Sequence, residues 1–229
     1  MVISSETRLV ALLGQPVAQS LSPRMQNAAF AARGLHWAYV ALEVPPEWLA
    51  EAVRGLAAAG FGGANVTAPH KLAASQLCDE ADAESVNTLV FDNGRVLGTS
   101  TDAAVLEGLT FDRPVIVGDG GAARAFKAAM PNARIFSRRG DWPPEVEDAD
   151  LVVHATPVRD EVLFELREGQ TLIDLPYPES ATALAARTSG ATVIDGLEVL
   201  VRQGAASFER WTGVSAPLDV MRNAVRSAP

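Results

Sequence analysis

The sequence predicts an α/β fold in two domains: an N-terminal mainly parallel α/β domain, and a second parallel α/β domain lacking one outer strand. Three observations predict it. Short β-rich runs alternate with Ala-rich helical stretches, the pattern of α/β chains with mainly parallel strands. The apolar run Pro114-Val115-Ile116-Val117 leads straight into Gly118-Asp119-Gly120-Gly121-Ala122-Ala123, a strand-to-helix turn that opens a new unit. Only the 13 residues Arg138 to Asp150 separate two later strands, too few for a helix plus a strand.

In chain order, the first unit reads as a strand at Val10–Gly14, a helix from Pro23 to Arg33, a strand at Trp37–Val44 and a helix from Pro46 to Ala59. A strand at Gly63–Thr67 and a helix opening at Pro69 follow. Asn87–Phe91 and Arg95–Gly98 flank Asp92-Asn93-Gly94, where Asn-Gly supplies the positive φ angles of a tight hairpin turn at a sheet edge. A further helix begins near Asp102. The second unit continues with strands at Ala133–Ser137, Leu151–His154, Thr171–Asp174 and Ala191–Ile194, then a long helix from Gly196 towards Trp211. The expected division is residues 1–102 and 103–205, with the last helix, within 206–229, returning to the first domain.

Composition narrows the partners. The chain carries 19 basic and 28 acidic residues for a net charge of −9, and its basic residues are dispersed, so nucleic acid is not an expected partner. Val10–Leu13 is too short for a signal-peptide core, so neither export nor a membrane is expected. Cys78 is the sole cysteine, which excludes an internal disulfide and a cysteine-based zinc site and fits a reducing cytoplasm. No metal site is read.

Four constellations carry chemistry. Gly118, Gly120 and Ala123 satisfy G-x-G-x-x-G/A between a strand and a helix, where backbone amides approach a pyrophosphate; an ordinary strand-to-helix turn is the plainer reading. The following strand ends in Ser137-Arg138-Arg139, where two arginines suit a 2′-phosphate, although Asp141 lies close by. In Gln19-Ser20-Leu21-Ser22-Pro23, Ser22 stands at an N-cap position and Pro23 at the first helical position. The two hydroxyls at a helix start can hold a small carboxylate, while a cap alone leaves Ser20 unexplained. In Asn65-Val66-Thr67-Ala68-Pro69-His70-Lys71, Lys71 falls in a first helical turn, where the dipole disfavours a cation, so it is either a solvated surface lysine or a functional one; His70 receives no role. Thr99-Ser100-Thr101-Asp102 places an acid where a simple helix cap would also put one.

Together these segments resemble the shikimate dehydrogenase family, from Leu13 to about Gly213, with the motifs in family order. Gly14-Gln15-Pro16 through Ser20-Leu21-Ser22-Pro23 is similar to G-x-P-x-x-x-S-x-S-P, and Asn65 through Lys71 to N-V-T-x-P-x-K. Val86-Asn87-Thr88, Thr101-Asp102, Asp174-Leu175-Pro176-Tyr177 and Asp195-Gly196-Leu197 with Gln203 match the later motifs. The resemblance implies a Rossmann-like NADP-binding second domain and a substrate carboxylate on Ser20 and Ser22. It implies ring contacts from Asn65, Thr67, Lys71, Asn87, Asp102 and Gln203, with Tyr177 approaching from the nucleotide side. Lys71 and Asp102 would be the catalytic pair. NADP would meet Gly118, Asp119, Gly120, Gly121, Ala122, Ser137, Arg138, Arg139, Thr156, Leu175 and Gly196.

The expected activity is NADPH-dependent reduction of 3-dehydroshikimate to shikimate, by a monomer or homodimer. Quinate/shikimate dehydrogenase and a non-catalytic shikimate-binding homologue are the alternatives. Departures concentrate in the nucleotide half: Asp119 occupies a position usually small and neutral, Glu198 and Val199 replace a common Gly-Met, and Arg138 to Asp150 replaces a helix and a strand. Ser100 and Ala103 also depart from the pattern around Thr101. The arginine side chains and the prolines Pro143 and Pro144 are expected to shield Ala133–Ser137 as an exposed edge.

Overall fold

The computed structural model describes residues 3–227, which divide into two compact units. One runs to Thr101 and takes in the chain from Val201 onward, and the other is Asp102–Leu200. The sequence-based division fell at 102/103 and 205/206.

The first unit is built on a six-stranded sheet of β1 (Arg8–Gly14), β2 (Trp37–Glu43), β3 (Gly63–Val66), β4 (Glu80–Ala81), β5 (Thr88–Asp92) and β6 (Arg95–Thr99), in the order β2-β1-β3-β5-β6-β4. β1 pairs in parallel with β2 and β3, and the β5–β6 hairpin joins antiparallel through β3. Asn93 and Gly94 take φ of 49° and 81°, as the Asn-Gly turn requires. The two-residue β4, too short to read from sequence, lies outside β6. β3 is buried along its whole length, and with Leu13, Leu49, Val53 and Leu89 it fills the core.

Two glycines let elements approach closely. A Cβ on Gly63 would collide with the Leu89 carbonyl oxygen and the indole nitrogen of Trp211. Trp211 lies on α6 (Gly196–Thr212), and its indole N–H donates to Leu89 O at 2.9 Å. Gly204, also on α6, packs onto Met25 of α1 (Ser22–Ala32), and Gln26 donates to the Gly204 carbonyl at 2.8 Å. The ring of Phe208 stacks on Phe30 at 5.3 Å. α7 (Leu218–Arg226) packs on α1 through buried Met221 and Val225.

Three helix starts differ from the sequence expectation. Pro46–Trp48 is a 3-10 turn that precedes α2 (Leu49–Ala58). Pro69 lies inside a turn closed by His70 N–H donating to Thr67 O at 2.9 Å, so α3 (Lys71–Ser75) begins only at Lys71. Ser22 is the first helical residue of α1 and not its cap, because Leu21 holds the cap position without a side-chain bond.

The second unit carries β7 (Pro114–Val117), β8 (Arg134–Phe136), β9 (Leu151–His154), β10 (Thr171–Asp174) and β11 (Thr192–Ile194) in the all-parallel order β11-β10-β9-β7-β8. α4 (Gly121–Ala129) follows β7, and α5 (Ala181–Thr188) precedes β11. β8 is an edge strand, and among the described residues no further strand lies beside it. The irregular segment after it folds back along the unit: Arg134 pairs with Glu145 and Asp148, and buried Val146 and Ala149 join the core. Gln170, itself buried, donates to the carbonyls of both Val146 and Ala149 at 2.8 Å, satisfying backbone that has no ladder to join. Among the described residues no helix is long and apolar enough to cross a membrane.

Candidate active site

In the first unit the candidate side chains of this group lie around the start of α1, just past β3 and at the start of α3. Gly14 ends β1, and a Cβ there would strike the Thr67 methyl group, so the glycine makes room for Thr67 immediately past β3. Ser20 Oγ accepts the Ser22 amide at 3.3 Å, which supplies the reason for the first serine that a cap at Ser22 could not. Ser22 is buried. Lys71 opens α3, and its carbonyl accepts the Val86 amide at 3.0 Å, tying the lysine's backbone to the residue before Asn87. His70, 1% exposed, donates from Nε2 to Val44 O at 2.7 Å and is a structural strut.

Asn87 is the junction of the polar cluster. Its Nδ2 donates to Gln203 Oε1 at 3.1 Å, and its Oδ1 accepts the Thr101 amide at 2.7 Å. Thr101 is the residue before Asp102, so Asn87 fixes the backbone that leads into the candidate carboxylate. Asp102 itself is buried and begins the 3-10 helix Asp102–Leu106, in place of the expected capped α-helix.

Asn65, expected as a ring contact, is committed to the protein at both ends of its amide. Its Oδ1 accepts from the Tyr39 hydroxyl at 2.9 Å, and its Nδ2 donates to Asn87 O, Thr88 Oγ1 and Ser207 Oγ at 2.9–3.1 Å. Thr88, Thr101 and Ser207 share hydroxyl hydrogen bonds of 2.8–3.2 Å beneath it. A buried polar network that satisfies its own members holds a single arrangement, because any slip leaves an unpaired group. Sequence reasoning missed Ser207 and Tyr39 here. Ser207 lies one helical turn after Gln203, a spacing that places both on one face of α6 and could have flagged it.

In the second unit a cavity of about 200 Å³ gathers six of the expected nucleotide residues: Gly118, Asp119, Ser137, Arg138, Arg139 and Thr156. It does not include Gly120, Gly121 and Ala122, which form the start of α4, nor Leu175 and Gly196. Gly196 has a packing reason of its own, since a Cβ there would collide with the carbonyls of Leu175 and Pro176. Gly118 has φ +137°, and a Cβ would press on the Ala155 carbonyl, so the turn admits only glycine. The cavity is smaller than the roughly 300–1,000 Å³ that encloses a whole drug-sized ligand. Its chemistry fits the adenosine end of a phosphorylated dinucleotide: apolar walls from Trp142, Val158 and Leu163 for a flat ring, and two guanidinium groups at the rim.

Thr156 is held from behind. Asp174, fully buried, accepts from Ser180 Oγ at 2.8 Å and from His154 Nδ1 at 2.6 Å. The other ring nitrogen, His154 Nε2, is hydrogen-bonded to the Thr156 hydroxyl at 2.7 Å. Asp174, the first residue of the D-x-x-Y segment, is thus an internal anchor. Tyr177 lies three residues beyond it, on the loop that leads to α5.

Comparison with known proteins supplies the frame for these geometries. The family model described as the shikimate dehydrogenase substrate binding domain matches residues 12–89, and that of the shikimate 5′-dehydrogenase C-terminal domain matches residues 196–226. The chain is 40% identical to the shikimate dehydrogenase (NADP(+)) of Methanopyrus kandleri over 279 aligned positions, which cover 97% of this chain and 96% of that protein. Those positions outnumber the 229 residues of this chain, so the alignment spans stretches that this chain lacks. Among solved structures, the shikimate dehydrogenase of Aquifex aeolicus superposes with a TM-score of 0.89 at 29% identity, covering 99% of this chain and 100% of that one. The Thermus thermophilus shikimate 5-dehydrogenase in complex with NADP(H) and shikimate gives 0.84 at 30% identity, covering 96% and 98%.

Proposed function

Because the chain belongs to the shikimate dehydrogenase family, we propose that it catalyses the reversible, NADPH-dependent reduction of 3-dehydroshikimate to shikimate, a step towards chorismate and the aromatic amino acids. The observation that carries the proposal is the Asn87 junction. One side chain fixes Gln203 and the backbone entering Asp102, while the carbonyl of Lys71 is tied to the residue before Asn87. A polyhydroxylated ring needs several donors and acceptors in fixed positions, since each unmatched group penalises a wrong substrate.

In this reading Ser20 and Ser22 hold the carboxylate, and Thr67, Asn87 and Gln203 hold ring hydroxyls. Lys71 stabilises the developing alkoxide and delivers the proton to the ring oxygen; Asp102 orients the lysine and the reacting hydroxyl. Asn65, hydrogen-bonded at both ends of its amide as Asn87 also is, braces Asn87 and Thr88. The nucleotide, when bound, would supply the hydride that reduces the ring ketone. The part of the chain through Asp102, together with its closing helices, is the substrate-binding, catalytic domain, and the part from residue 103 to 205 is the nucleotide-binding one; Tyr177 is a further substrate contact. The residues holding the nucleotide are those of the Gly118 turn and α4 start, Arg138, Arg139 and Thr156.

The protein acts in the cytoplasm on a small molecule, as a monomer or homodimer, with neither nucleic acid nor membrane as partner. Its lone cysteine and net charge of −9 support this. A spectrophotometric assay with shikimate or quinate, each with NADP⁺ and NAD⁺, tests the function. Fastest turnover is expected with shikimate and NADP⁺. Turnover of quinate alone would reassign the substrate, and shikimate binding without turnover on either nucleotide would make the chain a binding protein.

A further inference from the structure

Each arginine at the rim of the nucleotide cavity already has a carboxylate partner, and neither partner comes from its own strand end. Arg139 Nε lies 3.2 Å from Asp119 Oδ2, on the glycine turn after β7. Arg138 is ion-paired with Glu161, whose carbonyl accepts a hydrogen bond from Thr182 at 3.4 Å, and its guanidinium lies over the Trp142 ring, 5.5 Å from the centroid. All four charged groups are solvent-accessible, with Arg139 86% and Asp119 39% exposed, so each pair is weak enough to be exchanged by an incoming anion.

A nucleotide 2′-phosphate carries nearly two negative charges, and its gain on reaching a guanidinium is reduced wherever a carboxylate must first be displaced or kept nearby. A ribose 2′-hydroxyl suffers far less from the same acid and can donate a hydrogen bond to it. The acids therefore act on the difference between the two nucleotides.

We propose that Asp119 and Glu161 are specificity-determining residues: they compete with the 2′-phosphate for Arg139 and Arg138, and so hold the preference for NADP over NAD below what the two arginines alone would give. The inference rests on the reading of this cavity as the adenosine 2′-phosphate site. Trp142 sets the resting place of the contested guanidinium by lying beneath Arg138.

The test is calorimetric titration of NADP⁺ and NAD⁺ into the full chain as wild type, Asp119→Asn, Glu161→Gln and the double variant, with Arg138→Ala/Arg139→Ala as reference. The substitutions keep side-chain shape at exposed positions, and thermal unfolding of each variant checks that the fold is retained. The ratio of NAD⁺ to NADP⁺ dissociation constants is expected to rise about three- to tenfold for each single substitution and further for the double, less so at high salt.

Weaker NADP⁺ binding in the variants would overturn the proposal, because the acids would then be orienting the arginines for the phosphate. Equal tightening of both nucleotides would overturn it too, since the acids would be repelling the shared pyrophosphate. Failure of the underlying reading looks different: wild type and every variant would bind neither nucleotide, or the double arginine variant would bind NADP⁺ as tightly as wild type.

Discussion

Lys71 sits where local electrostatics disfavour it, at the start of a short helix whose free amides already carry partial positive charge. If its task is to neutralise an alkoxide, its contribution grows in the transition state. Lys71→Ala should then lower kcat by about 100- to 10,000-fold while weakening shikimate binding far less. Near wild-type turnover in steady-state kinetics would remove the lysine from the chemistry. Cys78 makes the opposite case, a nucleophile kept out of use. Burial, with a smaller push from Asp79, raises its thiol from 9.0 to about 11, and its Sγ donates to Ala74 O at 3.2 Å. Alkylation at pH 8 should run about a hundredfold slower in the folded protein than in urea, because only the thiolate reacts. The folded pKa lies above the unfolded one, so this group's contribution to stability is complete below pH 9 and disappears as pH rises through 11. The fall in unfolding midpoint across that window should be smaller in Cys78→Ala than in wild type.

At the scale of elements, the approach of α6 to the sheet is set by the absence of a side chain at Gly63. Alanine there would push on the Leu89 carbonyl and the Trp211 indole at once, breaking the 2.9 Å bond between them and leaving a buried N–H without its acceptor. Overpacking and the lost hydrogen bond together should cost about 2–4 kcal/mol, read as a lower denaturant midpoint for Gly63→Ala at unchanged slope. A loss under about 0.5 kcal/mol would mean that α6 can move away freely. The same helix carries Gln203 and Ser207, so a stable but displaced α6 should raise the Michaelis constant for shikimate. On the other unit the open edge of β8 is managed by charge: Arg134 ties Glu145 and Asp148 in the irregular segment between β8 and β9.

At the scale of the whole molecule, the chain leaves the first unit after Thr101 and re-enters it at Val201, so its closing helix must be captured by residues placed near the beginning. Met221 has 0% exposure, and α7 contacts α1. Met221→Ala should cost about 2–5 kcal/mol by deleting a buried side chain. The nucleotide cavity is lined entirely by the other unit, so the dissociation constant for NADP⁺ measured well below the unfolding transition should stay within about twofold of wild type. A large loss of NADP⁺ affinity in that folded variant would show the two units to be energetically coupled.

What the sequence by itself determined is whatever is encoded within a few neighbouring residues. Leu151–His154 and Thr171–Asp174 are continuous apolar runs ended by polar residues, and both strands have the bounds read from sequence. Asn93-Gly94 dictates its turn because those two residue types tolerate positive φ, and the shortness of Arg138–Asp150 leaves β8 at the edge. The grouping of Gly118, Ser137, Arg138 and Arg139 follows from a glycine turn and a strand end that parallel pairing of β7 and β8 brings side by side. Only the tertiary structure decided how polar groups divide their partners. Asn65 finds Ser207 at a separation of 142 residues, and that pairing, with Tyr39, commits the amide to the interior. Asp119 and Glu161 take hold of Arg139 and Arg138 because turns from different strands converge at one end of a parallel sheet. Periodicity records which face a residue occupies; the identity of the partner across that face depends on how distant segments pack, and a local pattern carries no record of it.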